Sequence, residues 1–322
     1  MFVTITAFVI GLLVGALTAV MWKKGEDAPS ESRQGKYTFI NPLLECEQAN
    51  DSIRQKALLP FKNNINKLIK DQKDRGAIID AAVYYRDLNN GPWFGVGEKE
   101  PYAPASLLKV ITMMSILHAA ESDKQLLQKK LRHVPRKTSF RPQIIVYPPL
   151  TLGTAYTIDD LLHRMIAFSD NDAAFLLGTF IGNESLNSLC RDLGVPVPDT
   201  SGEYLLSVKE YASFFRILFN ASYLNREMSE KGLQYLSRSE YKNGIVAGVP
   251  PTVSVAHKFG EREFITPNGN ATKQLHDCGI VYYPNHPYLL CIMTRGNASE
   301  ELTRAIQDIS HTVYSSVQKQ YE

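Results

Sequence analysis

Cysteine is scarce in this sequence, with only four in 322 residues, at positions 46, 190, 278 and 291. None forms a C-x-x-C pair, which excludes a disulfide-framed small domain and argues against a zinc site. An excess of one charge is also lacking, because 35 Lys and Arg against 33 Asp and Glu leave a net charge of +2. That balance gives no global signature of nucleic-acid binding. Since 44% hydrophobic and 21% charged residues are ordinary for folded proteins, we expect a globular chain without metal, cofactor or nucleic-acid partner.

One segment departs from this soluble composition. Residues 2–22 contain no charged side chain, and at about 1.5 Å per residue they can cross a bilayer core of about 30 Å. Trp22 suits the membrane interface, and Lys23 and Lys24 follow it. We predict an uncleaved transmembrane signal anchor over residues 1–22, with a cleaved signal peptide and a buried core helix as the alternatives. Because the two lysines favour the cytoplasmic side, charge alone leaves the orientation open.

The rest of the chain divides into a short linker, residues 23–35, and one domain, residues 36–322. The linker is polar, and no second linker or internal repeat follows it. Hydrophobic periodicity predicts helices over 50–74, 106–120, 158–180, 207–219 and 299–317. Strands are predicted within 77–96 and over 253–260, 277–283 and 288–294. Strands at both chain ends with helices between them predict an α/β domain of the α+β type, in which an antiparallel sheet is formed from both chain ends, with helices packed on it and an all-helical subregion.

Ser106 and Lys109 form an S-x-x-K pair at the start of an apolar helical run. Side chains three residues apart on a helix lie on the same face, about 5–6 Å apart at Cβ. A serine hydroxyl needs a neighbouring base to become a nucleophile, and a lysine among apolar residues has the lowered pKa that such a base requires. Taken alone, the pair is also explained by a capping serine and a surface lysine. Two further matches, beginning at Ser239 and Ser316, lack the apolar helical run.

Two polar elements follow at wider spacing. Ser169, Asp170 and Asn171 lie at a break between helical segments, where short polar side chains can face a cleft. An Asx turn or a helix cap is the alternative interpretation. Lys258 and Gly260 lie in a strand-like stretch, where the glycine indicates close backbone approach by a ligand and the lysine would bind a substrate carboxylate. An ordinary edge-strand lysine is the alternative.

In this order, S-x-x-K, S-D-N and K-[T/S]-G are the motifs of penicillin-recognising serine enzymes. The chain resembles class A β-lactamases and the related serine D,D-peptidases over roughly residues 36–322. The resemblance includes the segments around the motifs, such as YAPASLLKVITMMSIL and YTIDDLLHRMIAFSDNDAAFLLGTFIG. It implies a β-lactamase/transpeptidase-like fold and a serine acyl-enzyme hydrolase that acts on β-lactams or D-Ala-D-Ala-type peptidoglycan peptides.

The resemblance also implies roles in catalysis for four residues. Ser106 is the acylated nucleophile, and Lys109 is its base or part of the proton relay. Ser169 passes a proton to the leaving nitrogen of the substrate. The backbone N–H groups of Ser106 and Glu261 hold the oxyanion, as paired donors do in other acyl-transfer enzymes.

The implied substrate contacts show the first departure from the family pattern. Asn171 is expected to hydrogen-bond the acyl side chain of the substrate, and Lys258 to attract its carboxylate. Phe259 stands where the family has Thr or Ser, so the hydroxyl that usually helps to bind this carboxylate is missing. Arg262 is one candidate for its replacement, whereas His257 points to the other face of the strand and is interpreted as structural.

The second departure lies between the S-D-N and K-F-G motifs. That stretch is short for a class A enzyme, and it contains no E-x-x-L-N motif to supply the glutamate that activates water. Asp199 and Glu203 are the carboxylates nearby, but Glu203 lies only four residues before the expected helix start at Ser207. We therefore predict acylation followed by slow deacylation.

A second hypothesis is a catalytically weak or inactive module on the same fold that binds the cell wall or a partner. Either function is useful only outside the cytoplasm, so the domain is expected to be extracytoplasmic and held at the membrane by its N-terminal helix. If the last two strands pair symmetrically about residues 284–287, Cys278 faces residue 293. A disulfide between Cys278 and Cys291 is therefore not predicted, although such a compartment permits one.

Overall fold

The computed structural model of the chain describes residues 32–33, 37–45, 58–89, 91–135, 144–198, 203–265 and 271–321. Its strands are β1 Ser32–Arg33, β2 Leu43–Glu45, β3 Asp80–Asp87, β4 Trp93–Val96, β5 Pro101–Tyr102, β6 Lys130–Arg132, β7 Ala155–Thr157, β8 Leu206–Ser207, β9 Val255–Ile265, β10 Ala271–Val281 and β11 Tyr288–Gly296. Its helices are α1 Leu59–Asp74, α2 Lys109–Ser122, α3 Ile158–Ala167, α4 Asn171–Ile181, α5 Asn183–Asp192, α6 Val208–Asn220, α7 Arg226–Ser237 and α8 Ser299–Tyr321. Short 3₁₀ turns occur at Ala105–Leu108, Leu126–Gln128 and Ile245–Gly248.

Five strands form the central antiparallel sheet, in the order β4-β3-β11-β10-β9. β3 and β4 precede helices α2 to α7 in the chain, and the other three strands follow those helices, so the sheet is built from both ends of the domain as predicted. β11 is the middle strand and is almost entirely buried, because helices cover both of its faces. β9, which carries the K-F-G triplet, lies at the edge of the sheet.

The two faces of the sheet bury separate hydrophobic cores. Because successive strand side chains point to opposite faces, Val83 and Tyr84 of β3 enter different cores. Val83 packs with Ile65 of α1 and Ile306 of α8, whereas Tyr84 belongs to the core formed with α2 to α7, which includes Phe215. The predicted α/β arrangement with an all-helical subregion is therefore confirmed.

The predicted helices lie close to their observed positions, whereas α5 and α7 were not predicted. α1 begins at Leu59 with Pro60 in its first turn, where the missing N–H costs no hydrogen bond. Residues 50–57 of that predicted helix lie outside the described residues. The stretch predicted over 158–180 consists of α3 and α4, which are separated by the polar break at residues 168–170.

The expectation that Cys278 and Cys291 do not form a disulfide is wrong. The two residues are directly paired across β10 and β11 and are joined by a disulfide. The symmetric hairpin assumed from the sequence misplaces the register by two residues, because Val281 pairs with Tyr288. The connection is therefore residues 282–287, and Asn285 within it adopts a left-handed φ of 59°. Cys190 is buried and carries a free thiol.

Within the described ranges, no helix is long and apolar enough to cross a membrane. The predicted anchor, residues 1–22, lies outside those ranges, as does most of the predicted linker. Two residues near the end of the linker, Ser32 and Arg33, form β1 and pair with β2.

Candidate active site

Ser106 lies in the 3₁₀ turn that leads directly into α2, and Lys109 is the first residue of that helix. Lys109 Nζ lies 3.1 Å from Ser106 Oγ, as the S-x-x-K spacing predicts. Ser106 caps neither the turn nor the helix, and Lys109 is only 7% exposed, so the alternative of a capping serine and a surface lysine is wrong. Ala105, immediately before the serine, has a φ of 49°, and such strained backbone is concentrated at functional sites.

The amine of Lys109 contacts both serines of the motifs. Besides Ser106, it lies 2.9 Å from Ser169 Oγ, 2.5 Å from the Ser169 carbonyl oxygen and 2.8 Å from Asn171 Oδ1. The carbonyl and amide oxygens accept only, so a neutral amine donates its two hydrogens to them. Its lone pair is then left to accept the proton of a serine hydroxyl, which is the arrangement that a base for Ser106 requires.

Burial lowers the pKa of Lys109 to about 7, although the negative charges of Asp170 and Glu261 act in the opposite direction. Removing the amine from water disfavours its charged form, and the side chain of Lys109 is almost fully buried. A substantial fraction of Lys109 is therefore neutral near pH 7. The sequence-based argument for a base at this position is thus supported by the geometry and by the electrostatics.

Of the three S-D-N residues, one stabilises the fold and two face the site. Asp170 caps α4 by accepting from the backbone N–H groups of Asp172 and Ala173, so the cap interpretation is correct for this residue alone. Ser169 adopts a φ of 58°, which turns its side chain toward the two lysines. Asn171 points toward Lys109.

Lys258 is fully buried on β9 and belongs to the same cluster. Its Nζ donates to Ser169 Oγ at 3.0 Å and to the carbonyl oxygen of Phe259 at 2.8 Å. Burial and the positive charge of Lys109 lower its pKa well below the ordinary value. Ser169 Oγ therefore lies between two lysine amines, and this position suits its hydroxyl to pass a proton. The direct attraction of a substrate carboxylate by Lys258 stays a prediction.

Gly260 allows β9 to approach the turn that carries Ser106. A Cβ at this position would lie 2.8 Å from the carbonyl oxygen of Pro104 and 3.1 Å from the backbone nitrogen of Leu107. The expectation of a close approach is confirmed, but the approaching group is the protein's own backbone and the predicted ligand is not needed to explain the glycine. This contact brings residue 261 next to the turn, where the two N–H groups expected to hold the oxyanion are located.

Phe259 starts from the other face of the strand, but its ring lies beside this cluster, with the centroid 4.1 Å from Lys258 Nζ. Its ring stacks on Tyr241 at 4.2 Å between centroids and is buried. His257, on the same face, contacts Asp277 through Nδ1 at 2.8 Å, and both residues are buried. Asp277 also accepts from the backbone N–H of Ile245 at 2.8 Å. The structural interpretation of His257 is therefore confirmed.

The charged residues after the triplet lie at the rim of the site. Arg262 forms an ion pair with Glu203 at 2.6 Å, so the candidate carboxylate-binding cation and the candidate water-activating carboxylate engage each other. Glu261 accepts from the backbone N–H of Ile144 at 3.3 Å and interacts electrostatically with Lys109 and Lys258. Asp199 lies outside the described residues.

A pair of β10 side chains holds the backbone that precedes Ser106, and no sequence motif points to this contact. Gln274 Oε1 accepts from the N–H of Ala103 at 3.1 Å, and His276 Nε2 donates to its carbonyl oxygen at 3.1 Å. Burial lowers the pKa of His276 to about 4, which keeps the ring neutral, with Nδ1 accepting from the N–H of Thr294. These contacts connect the nucleophile turn to the sheet.

A model of the Beta-lactamase enzyme family matches residues 60–317. The chain belongs to this family. The match includes all three motifs and β3 to β11, and the family assignment makes the chain a serine hydrolase of the β-lactamase type. A search of curated proteins finds no match.

Solved structures of the β-lactamase fold resemble this chain over most of its length. A PBP-A mutant in an acyl-enzyme complex with penicillin G has a TM-score of 0.67 at 22% identity, covering 81% of this chain and 97% of that one. A class A β-lactamase from Mycobacterium abscessus has a TM-score of 0.66 at 19% identity, with 80% and 99% covered. A β-lactamase from Sphaerobacter thermophilus has a TM-score of 0.67 at 17% identity, with 79% and 96% covered. At these identities the likeness establishes the fold.

Proposed function

We propose that this chain is a serine acyl-enzyme hydrolase whose substrates are β-lactams or D-Ala-D-Ala-type peptides. The observation that carries the proposal is the position of the Lys109 amine between the hydroxyls of Ser106 and Ser169. A similar fold, that of PBP-A, has been solved as an acyl-enzyme complex with penicillin G. That complex makes penicillin the first compound to test.

Acylation follows from the contacts of the site. Neutral Lys109 accepts the proton of Ser106 Oγ, which bonds to the substrate carbonyl carbon. The N–H groups of Ser106 and Glu261 stabilise the oxyanion, a contribution worth about 3 kcal/mol per donor in other enzymes. When the carbon–nitrogen bond breaks, Ser169 Oγ gives its proton to the leaving nitrogen and recovers one from Lys109. The serine proton thereby ends on the amine product.

Acylation is expected to become faster as pH rises through about 7, the pKa of Lys109. Above this pH, Lys109 is mostly in its neutral, basic form. Below it, the acylation rate should increase about tenfold per pH unit, because the neutral fraction of Lys109 does so. The measurement is the rate of penicillin attachment by intact-protein mass spectrometry between about pH 5 and 9. A rate independent of pH over this range would contradict the assignment of Lys109 as the base.

Slow deacylation is the second part of the proposal. The segment between Asp192 at the end of α5 and Leu206 in β8 is short, and its described carboxylate, Glu203, is paired with Arg262. Asp170 is buried, caps α4 and pairs with Arg164 at 3.1 Å. Neither Glu203 nor Asp170 is available to activate water beside Ser106, and the carboxylate of Glu261 accepts from the N–H of Ile144, so we expect the acyl-enzyme to accumulate.

The proposed location is outside the cytoplasm, with residues 1–22 as a membrane anchor. The disulfide between Cys278 and Cys291 supports this location, because such bonds persist in oxidising compartments. The anchor is supported by its uncharged sequence. A protease-protection assay on cells tests both, and digestion of the domain only after cell lysis would exclude an outward-facing domain.

Covalent labelling with penicillin tests the proposed activity. We expect the mass of the wild-type protein to increase by one penicillin and the adduct to disappear over hours, with Ser106→Ala unlabelled. Rapid turnover of nitrocefin would refute slow deacylation but retain the hydrolase. If the wild type is not labelled but binds peptidoglycan, and Ser106→Ala binds with the same affinity, the non-catalytic binding module is favoured instead. The observation that supports this second candidate is Phe259, which stands where the family has Thr or Ser.

A further inference from the structure

We propose that Glu261 makes this site select substrates without a free carboxylate next to the scissile amide. The inference rests on the proposed function, since it concerns which acyl donors reach Ser106. It concerns the side chain of Glu261, whereas the expected oxyanion contact uses only the backbone N–H. The preferred substrates would carry a neutral carboxamide or ester, or an amine, at that place.

The side chain of Glu261 lies at the mouth of the site, which we define as the gap between β9 and Ile144. Gly260 sets the backbone of residue 261 beside the turn of Ser106. From there the carboxylate reaches the N–H of Ile144, in the segment before α3, at 3.3 Å. The carboxylate thus spans the gap between β9 and Ile144, and it interacts electrostatically with the amines of Lys109 and Lys258.

The residues expected to bind a substrate carboxylate are engaged elsewhere. Lys258 has no exposed surface, and its amine contacts Ser169 and the Phe259 carbonyl oxygen. The side chain of Phe259 offers no hydroxyl, and its ring is stacked on Tyr241. Arg262 is paired with Glu203. An incoming carboxylate would have to compete for these cations while facing Glu261.

The chemistry of the proposed substrates makes this arrangement selective. In penicillins and in D-Ala-D-Ala peptides, the carboxylate is attached to the carbon that bears the leaving nitrogen. With that nitrogen at Ser169 Oγ, the carboxylate points toward β9, the strand of Lys258 and Glu261. Two like charges a few ångströms apart at a partly desolvated site repel, and such repulsion is a general means of rejecting a competing ligand. Amidation or esterification removes the repulsion.

The test compares the acylation rates of benzylpenicillin and benzylpenicillin methyl ester on the purified protein. We expect the wild type to react faster with the ester, relative to the intrinsic reactivity of the two compounds. Glu261→Gln keeps an oxygen that can accept from Ile144 N–H and should increase the ratio of acid to ester rates about tenfold. The ratio is the readout, because loss of this charge also lowers the pKa of Lys109 further and thereby changes both rates alike. Increasing the salt concentration should reduce the preference of the wild type.

Glu263→Gln is the matched control, because it removes the same charge two residues further along β9. We expect it to leave the ratio of acid to ester rates unchanged. An unchanged ratio in Glu261→Gln, or an equal change in Glu263→Gln, overturns the inference while labelling of Ser106 still supports the proposed function. Absence of labelling by both compounds refutes the proposed function and, with it, this inference.

Discussion

Replacement of Lys109 by alanine is expected to slow penicillin acylation of Ser106 by about 10³-fold, the range typical of losing a positioned base. The amine contacts both Ser106 Oγ and Ser169 Oγ, so its removal takes away the proton acceptor and one side of the relay. The measurement is the second-order rate of adduct formation. The increase of this rate with pH through about 7 should disappear in the same variant.

Lys242→Ala provides the matched control for this prediction. Ser239 and Lys242 form another S-x-x-K match, but Lys242 donates to the Ser239 carbonyl oxygen and lies outside the Ser106 cluster. Its replacement should leave the acylation rate within about twofold of the wild type, since surface changes away from such features are generally small. If Lys109→Ala retains more than about a tenth of the wild-type rate, a different group activates Ser106.

Replacement of Asp277 by alanine is expected to lower the free energy of unfolding by about 3–5 kcal/mol. Asp277 has no exposed surface and accepts from His257 Nδ1 and from the backbone N–H of Ile245. Without the carboxylate, both buried donors lose their partners, and each loss costs about 1–3 kcal/mol. Urea denaturation, with the slope checked for constancy, provides the measurement.

Asp277→Asn separates the effect of the lost hydrogen bonds from the effect of the lost side-chain volume. The amide keeps one acceptor of the same size, so this variant should recover part of the lost stability. A loss below about 1 kcal/mol in Asp277→Ala would show that water replaces the carboxylate, which the burial of this residue argues against. Because Asp277 is paired with Phe259 across the strands, the result also reports on how firmly the active-site strand is held.

Local patterns predicted much of the fold and the central pair of the site. Helical periodicity placed α2, and the i to i+3 spacing placed Lys109 on the same face as Ser106, because both depend only on neighbouring residues. The register of β10 and β11 depends instead on which residues form the turn between them, and a turn over residues 282–287 sets Cys278 opposite Cys291. Chain symmetry was therefore a poor guide to the disulfide.

The supports of the site were not predictable from the sequence, because they join distant segments. Gln274 and His276 hold Ala103 across separations of 171 and 173 residues. The close approach of Gly260 to Pro104 also joins two segments that are far apart in the sequence. A glycine in a strand signals that something comes close, but its sequence context does not say whether that partner is a ligand or another part of the chain.

The position of β11 has a consequence for how the protein acquires its fold during synthesis. β3, at residues 80–87, pairs with β4 on one side and with β11, at residues 288–296, on the other. The sheet therefore closes only after more than two hundred further residues have been made, and contacts of such long range fold slowly. Until then, the apolar faces of β3 and α2 lack their covering layers, which is when aggregation competes with folding. The nucleophile is synthesised early, but the active site exists only when the last strands have been added.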